Sequence, residues 1–144
     1  MSRIRGFFPG LFKKPELGVA KKDLMLLNQA GAQRMLTQKL VKLLMMKRFE
    51  VGDKSEIENE IQSSISKFEE TLEILKSFEE NTEALNSQME KVEGAWERFL
   101  SSVTINDIEK IIEFNGEVLI EMERAVNMYE EMFLKMRKKN AYAG

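Results

Sequence analysis

An all-α fold, an antiparallel up-down-up-down four-helix bundle, is what this chain predicts, and three observations carry the prediction. Apolar residues recur at spacings of three and four along four successive segments. The composition, 43% hydrophobic and 32% charged with only two prolines and eight glycines, suits helices better than sheet or disorder. The segments are joined by connections of a few residues, which make neighbouring helices antiparallel. At 144 residues there is room for one domain with one core. At roughly 1.5 Å per residue the bundle would be about 40 Å long.

The first helix follows Pro15, a good first-turn residue, and carries Leu24, Leu27, Leu36, Leu40, Leu43 and Leu44 until Val51-Gly52-Asp53 ends the pattern near Phe49. Asp53 with Glu56, or Ser55 with Glu58, offers a capping box for a second helix lined by Ile57, Ile61, Ile65, Phe68, Leu72, Leu75 and Phe78. Asn81 or Thr82 can cap a third, whose ladder runs Leu85, Met89, Val92, Trp96, Phe99 and Val103. Thr104 with Asp107 suggests another capping box, before a fourth helix carrying Ile108, Ile111, Asn115, Val118, Met122, Ala125, Tyr129, Met132 and Met136. Its basic end at Arg137, Lys138 and Lys139 suits the helix dipole. The expected organisation is a basic and aromatic segment over 1–20, one bundle over 21–139 and a short tail over 140–144. Because Phe78–Thr82 lacks glycine and proline, an elongated coiled-coil dimer of hairpins is the rival architecture. Asn115 as a polar heptad member reads as a register-setting residue, and Trp96 as core.

The inventory closes several kinds of chemistry. With no cysteine and no histidine the chain has no thiolate, imidazole base, disulfide or ordinary zinc site. A ferritin-like di-iron centre needs a Glu-x-x-His motif. No cofactor is expected, and with no positioned nucleophile or tuned acid-base pair to name, no enzymatic activity either. Residues 1–48 hold eleven Lys/Arg against two acids and residues 49–144 eleven against twenty-two, so the two parts carry +9 and -11. Helices of such opposite charge pack well as neighbours. Helix one is basic, but no aromatic stacking platform accompanies it, which argues against a nucleic-acid partner. No apolar stretch reaches the length of a membrane span or a signal peptide, so a cytoplasmic location is expected. Ile4, Phe7, Phe8, Leu11 and Phe12 among Arg3, Arg5, Lys13 and Lys14 would suit peripheral contact with an anionic membrane, or a flap over one bundle end.

On a wheel of 100° per residue, helix one shows two stripes. Met25, Leu26, Leu36, Leu40, Leu43 and Leu44, with Gln29 and Gln33 among them, form the expected inward face. Leu27, Ala30, Val41 and Met45 form the second, with Arg34 and Gln38 at its centre. A second apolar stripe suggests a partner, most simply the same helix of a second copy. In such a homodimer Arg34 would meet its symmetry mate, and a small anion would relieve the repulsion. Gly31, one turn earlier, would let a helix or ligand approach the backbone. The candidate ligand-binding residues are therefore Gly31, Arg34 and Gln38. A plain reading of the same three is also open: a helix-packing glycine, a snorkelling arginine and a surface glutamine.

The wording of the segment Asn28-Gln-Ala-Gly-Ala-Gln-Arg-Met-Leu-Thr-Gln38 resembles the first-helix signature of the PilJ/NarX-type sensory domain, roughly N-x-A-G-x-x-R-M-L-S/T-Q. Phe68-Glu-Glu-Thr-Leu72, Val92-Glu-Gly-Ala-Trp-Glu-Arg-Phe99, Asn115 with Val118-Leu119 and the stretch Val126–Tyr129 extend the resemblance across residues 23–134. It implies a sensory four-helix bundle of chemotaxis and signal-transduction proteins. In nitrate-sensing members the motif arginine of both subunits holds the anion at the dimer interface, helped by the glycine three residues before it; here those positions are Arg34 and Gly31. Family members mostly lie outside the cytoplasm between transmembrane helices and feed a kinase or methyl-accepting domain. The expectation here is a cytoplasmic version acting through a signalling-protein partner or a small ligand. A module that docks on an acidic protein or a membrane surface, with no small ligand, is the alternative.

Overall fold

The computed structural model describes residues 21–143, with side chains as far as Lys138. The segment 1–20, read as a tail or surface anchor, lies outside the described residues. Four helices follow in order: α1 (Lys21–Arg48), α2 (Lys54–Lys76), α3 (Glu83–Thr104) and α4 (Ile108–Ala143). They form the four-helix bundle that apolar spacing and short connections predict, with no strand among the described residues. Around the ring α1 packs between α2 and α4, α3 packs on α4, and α2 stands further from α3. Bulky side chains fill that wider space: Phe68 of α2 stacks on Trp96 of α3 with ring centroids 3.9 Å apart, and Trp96 continues onto Phe99 at 5.5 Å.

Local chemistry sets the helix ends. Asp53 caps α2, its carboxylate accepting from the Glu56 N–H at 3.0 Å, and Thr82 caps α3, accepting from the Leu85 N–H at 3.1 Å. The Thr104–Asp107 capping box does not form. The Thr104 hydroxyl donates back to the Leu100 carbonyl at 3.1 Å, which keeps it inside α3, and Asp107 alone caps α4 by accepting from the Lys110 N–H at 3.2 Å. The α1–α2 and α3–α4 connections share one device. Glu50 and Asn106 both sit at φ 56°, and the following N–H closes the turn, Val51 onto the Met46 carbonyl at 2.9 Å and Asp107 onto Ser102 at 3.2 Å. This six-residue closure around a left-handed residue consumes carbonyls that a helix end leaves unpaired. Helix α4 continues to Ala143, through the stretch read from sequence as a tail.

The inward face of α1 differs from the wheel expectation. Its buried residues are Asp23, Leu24, Leu26, Ala30, Gln33, Thr37, Leu40 and Leu43. Met25, assigned to the core, is half exposed, and Ala30, assigned to the outer stripe, is completely buried. The cause is supercoiling: positions 23, 26, 30, 33, 37 and 40 alternate spacings of three and four, and a seam of period 3.5 drifts away from a straight 100° wheel. Asp23 and Thr37 were invisible to an apolar pattern because they are polar. In α2, α3 and most of α4 the apolar ladders agree with burial, down to Trp96 at 2% exposure and Asn115 at 7%; towards the end of α4 the buried residue is Phe133, stacked on Tyr129, whereas Met132 and Met136 of the ladder are only partly buried.

Candidate functional site

Helix α1 is held at its middle by polar side chains that cross to main-chain carbonyls, one from α1 to α2 and one from α4 to α1. Gln33, completely buried, donates from Nε2 to the Phe68 carbonyl of α2 at 2.9 Å. One turn on, the side-chain amide of Asn115 on α4 donates to the Thr37 carbonyl at 3.0 Å. The Thr37 hydroxyl, also fully buried, donates to the Arg34 carbonyl at 2.8 Å. The turn from Gln33 to Thr37 is thus tied to α2 on one flank and α4 on the other, and Arg34 lies inside it.

On the outside of that turn lie the three residues singled out from sequence. Spaced by three and four, Gly31, Arg34 and Gln38 share one stripe of α1. The stripe follows the α4 side, since Arg34 Nη1 lies 3.9 Å from Glu123 Oε1, with both side chains about half exposed. At that length and exposure the pair is weak. Gly31 faces open space: no atom stands within 4 Å of where a Cβ would be. Gln38 is exposed. The stripe therefore offers a guanidinium beside bare backbone, which suits a planar or tetrahedral oxyanion.

The opposite wall, on α4, was not read from sequence. Glu123 is 89 positions from Arg34 and no local pattern marks it. Gly116 is equally open, with nothing within 4 Å of a Cβ position. Met35 of α1 and Ile112 and Ile120 of α4 stand exposed beside these residues, at 72%, 58% and 54%.

A second polar group lies at the end of the bundle where α1 begins. Asp23 is only 3% exposed, and Lys22 pairs with Glu80 of the α2–α3 connection at 3.4 Å. Burial and then the nearby Glu80 carboxylate raise the Asp23 carboxyl above its ordinary value, Lys22 opposing them. Close by, the Tyr129 hydroxyl donates to the Leu75 carbonyl at 3.0 Å. Burial pushes that phenol up to about 12. A shallow groove of about 390 Å³ between α3 and α4 runs past Gly94, Arg98, Ser101, Lys110 and Phe114, but its arginine is engaged with Glu117 at 3.2 Å. Among the described residues no group of three or more carboxylates gathers to hold a metal ion, and no helix is long and apolar enough to cross a membrane.

The family model described as PilJ, type IV pili methyl-accepting chemotaxis transducer N-term, matches residues 18–113. The match spans α1 to α3 and the start of α4, and it includes Gly31, Arg34 and Gln38. No curated protein and no solved structure matches the chain.

Proposed function

Because the chain belongs to the PilJ family, the N-terminal sensory domain of type IV pili methyl-accepting chemotaxis transducers, we propose that it is a non-enzymatic ligand-sensing bundle that takes a small anion of the nitrate or nitrite kind at Arg34, at the interface of a homodimer. The observation that carries this reading is the state of Arg34: a half-exposed guanidinium beside the open backbone of Gly31, opposed only loosely by Glu123 at 3.9 Å. An arginine engaged in a tight bidentate pair would have little to offer a ligand; this one keeps donors available. In a two-fold dimer two such groups would approach each other, and the anion would be favoured by both. The main chain of Arg34 is itself tied in, its carbonyl accepting from the Thr37 hydroxyl while the Thr37 carbonyl accepts from Asn115, which offers a route from the site to α4.

Sedimentation and thermal melting of the wild type and Arg34→Ala test the reading, with nitrate, nitrite, sulfate and phosphate at constant ionic strength. Selective binding to the folded dimer stabilises it; at ten times the dissociation constant the gain is about 1.4 kcal/mol, or a few degrees in melting temperature. The expected result is a rise with one anion that Arg34→Ala abolishes. A monomer indifferent to every anion would transfer the case to a protein-interaction module without a ligand.

A further inference from the structure

At the end of the bundle where α1 begins, two buried carboxylate oxygens, Asp23 Oδ1 and Glu80 Oε2, have no hydrogen-bond donor. Asp23 belongs to the first turn of α1 and Glu80 to the α2–α3 connection. Their carboxyl groups lie within hydrogen-bonding reach of each other. Two carboxylates that meet away from water repel, and neither can donate. One proton between them removes the repulsion and supplies the missing donor.

We propose that Asp23 and Glu80 share one proton, and that this proton latches the start of α1 to the α2–α3 connection and lets it go as pH rises. The surroundings place the proton on Asp23. Asp23 is 3% exposed, whereas the Glu80 side chain is 28% exposed and has Lys22 Nζ 3.4 Å from its other oxygen, Oε1. The negative charge therefore rests on Glu80, which faces a cation and water, and the Asp23 hydroxyl donates to it. Glu80 and Lys22 are the charged groups that act on Asp23. Helix α4 adds Tyr129 at this end, and burial pushes its phenol up to about 12, so it stays neutral. Glu79 of the connection, Glu83 of α3 and Glu130 and Glu131 of α4 are exposed.

The connection is a fixed post for such a latch. Asn81 donates from Nδ2 to the Leu75 carbonyl at 2.8 Å, and the Tyr129 hydroxyl donates to the same carbonyl at 3.0 Å, which ties the connection to the end of α2 and to α4. Phe78 packs edge-on against Tyr129 and Phe133. The folded chain holds the Asp23 proton more tightly than the unfolded chain does. The latch is therefore complete below the ordinary carboxyl value of 3.8 and opens as pH rises through the raised value. What opens is the first turn of α1, while Gln33 and Asn115 keep hold of its middle. The device is separate from the anion site, because Asp23 stands about 16 Å before Arg34 along the helix.

Carbon-detected NMR of the two carboxyl groups, from about pH 3 to about pH 8, follows the proton. Amide exchange of Met25–Asn28, corrected for its intrinsic pH dependence, follows the latch. Both carboxyl carbons should register one common midpoint above 3.8, as interacting groups do. The protection of those amides should fall about threefold or more across that midpoint. Asp23→Asn and Glu80→Gln each put a permanent amide donor into the pair, so in either variant the fall should vanish. One variant suffices where the other does not fold. Two independent titrations at ordinary carboxyl values would overturn the inference. So would a common midpoint with unchanged protection, or a fall that persists in either folded variant.

Discussion

Asn115 of α4 and Thr37 of α1 are joined by a side-chain amide donating to a main-chain carbonyl at 3.0 Å, one turn from Arg34. The geometry is directional: a carbonyl can accept but not donate. Asn115→Asp would therefore set a buried carboxylate against an oxygen, and the bundle should lose about 3 kcal/mol at neutral pH. The buried carboxyl would have a raised pKa, so acidification should restore part of the loss. Urea unfolding at pH 7 and pH 4 measures both, and an equal loss at the two values would show that the site is more open to water than its 7% exposure indicates.

Glu123 is the nearest described carboxylate to Arg34, at 3.9 Å with both groups half exposed. Exposed pairs contribute roughly 0.2–1 kcal/mol. Glu123→Gln should accordingly tighten anion binding by about two- to fivefold at low salt and leave the melting temperature of the anion-free protein nearly unchanged. Titration calorimetry against the anion that stabilises the wild type would detect this, and unaltered affinity would mean that the two side chains do not compete.

Gly31→Ala and Gly116→Ala should each stabilise the isolated bundle by about 0.5–1 kcal/mol, because both are helical and neither new methyl group meets an atom. Gly31→Ala, at the proposed dimer interface, should also weaken self-association several-fold. Denaturant titration at low concentration and sedimentation at high concentration separate the two effects. Greater stability with undiminished association would show that Gly31 has no partner to admit.

Acid dependence should centre on Asp23. Its carboxyl is raised in the folded state by burial and by Glu80. The folded chain therefore holds that proton more tightly than the unfolded chain does. The stability it contributes is complete below the ordinary carboxyl value of 3.8 and is lost as pH rises through the raised value. Asp23→Asn should remove this component, making the mutant's advantage over wild type grow as pH rises from about 4. A constant difference across the range would place Asp23 in water.

Phe68→Ala should cost about 3–5 kcal/mol, since the ring is fully buried and lies against Trp96 at 3.9 Å. As the chain has one tryptophan, its emission reports the site directly. A red shift should accompany the loss of stability, and unshifted emission would mean that the space had closed up.

Much of this arrangement was legible from the residues. The ladders of α2, α3 and α4, the caps at Asp53 and Thr82, and the stripe of Gly31, Arg34 and Gln38 all arise from short-range spacing, which a linear reading captures. The register of α1 was not. Asp23, Gln33 and Thr37 put polar groups on its buried seam, and leucine and methionine occur nearly all round it, so its apolar residues do not mark one side. Glu123 and Gly116 escaped notice for another reason: their relation to Arg34 exists only once α4 has folded back beside α1.

Gln33 and Asn115 both fasten onto carbonyls of a helix backbone, where the same chemical group recurs at every residue. Sliding α1 along its neighbours would have to break both bonds before the next carbonyl could take their place. Small displacements stretch the Phe68 and Thr37 bonds together, and a larger one releases both within the same turn. Any shift of α1 against its two neighbours would thus be stepwise, with its resting notch beside Arg34.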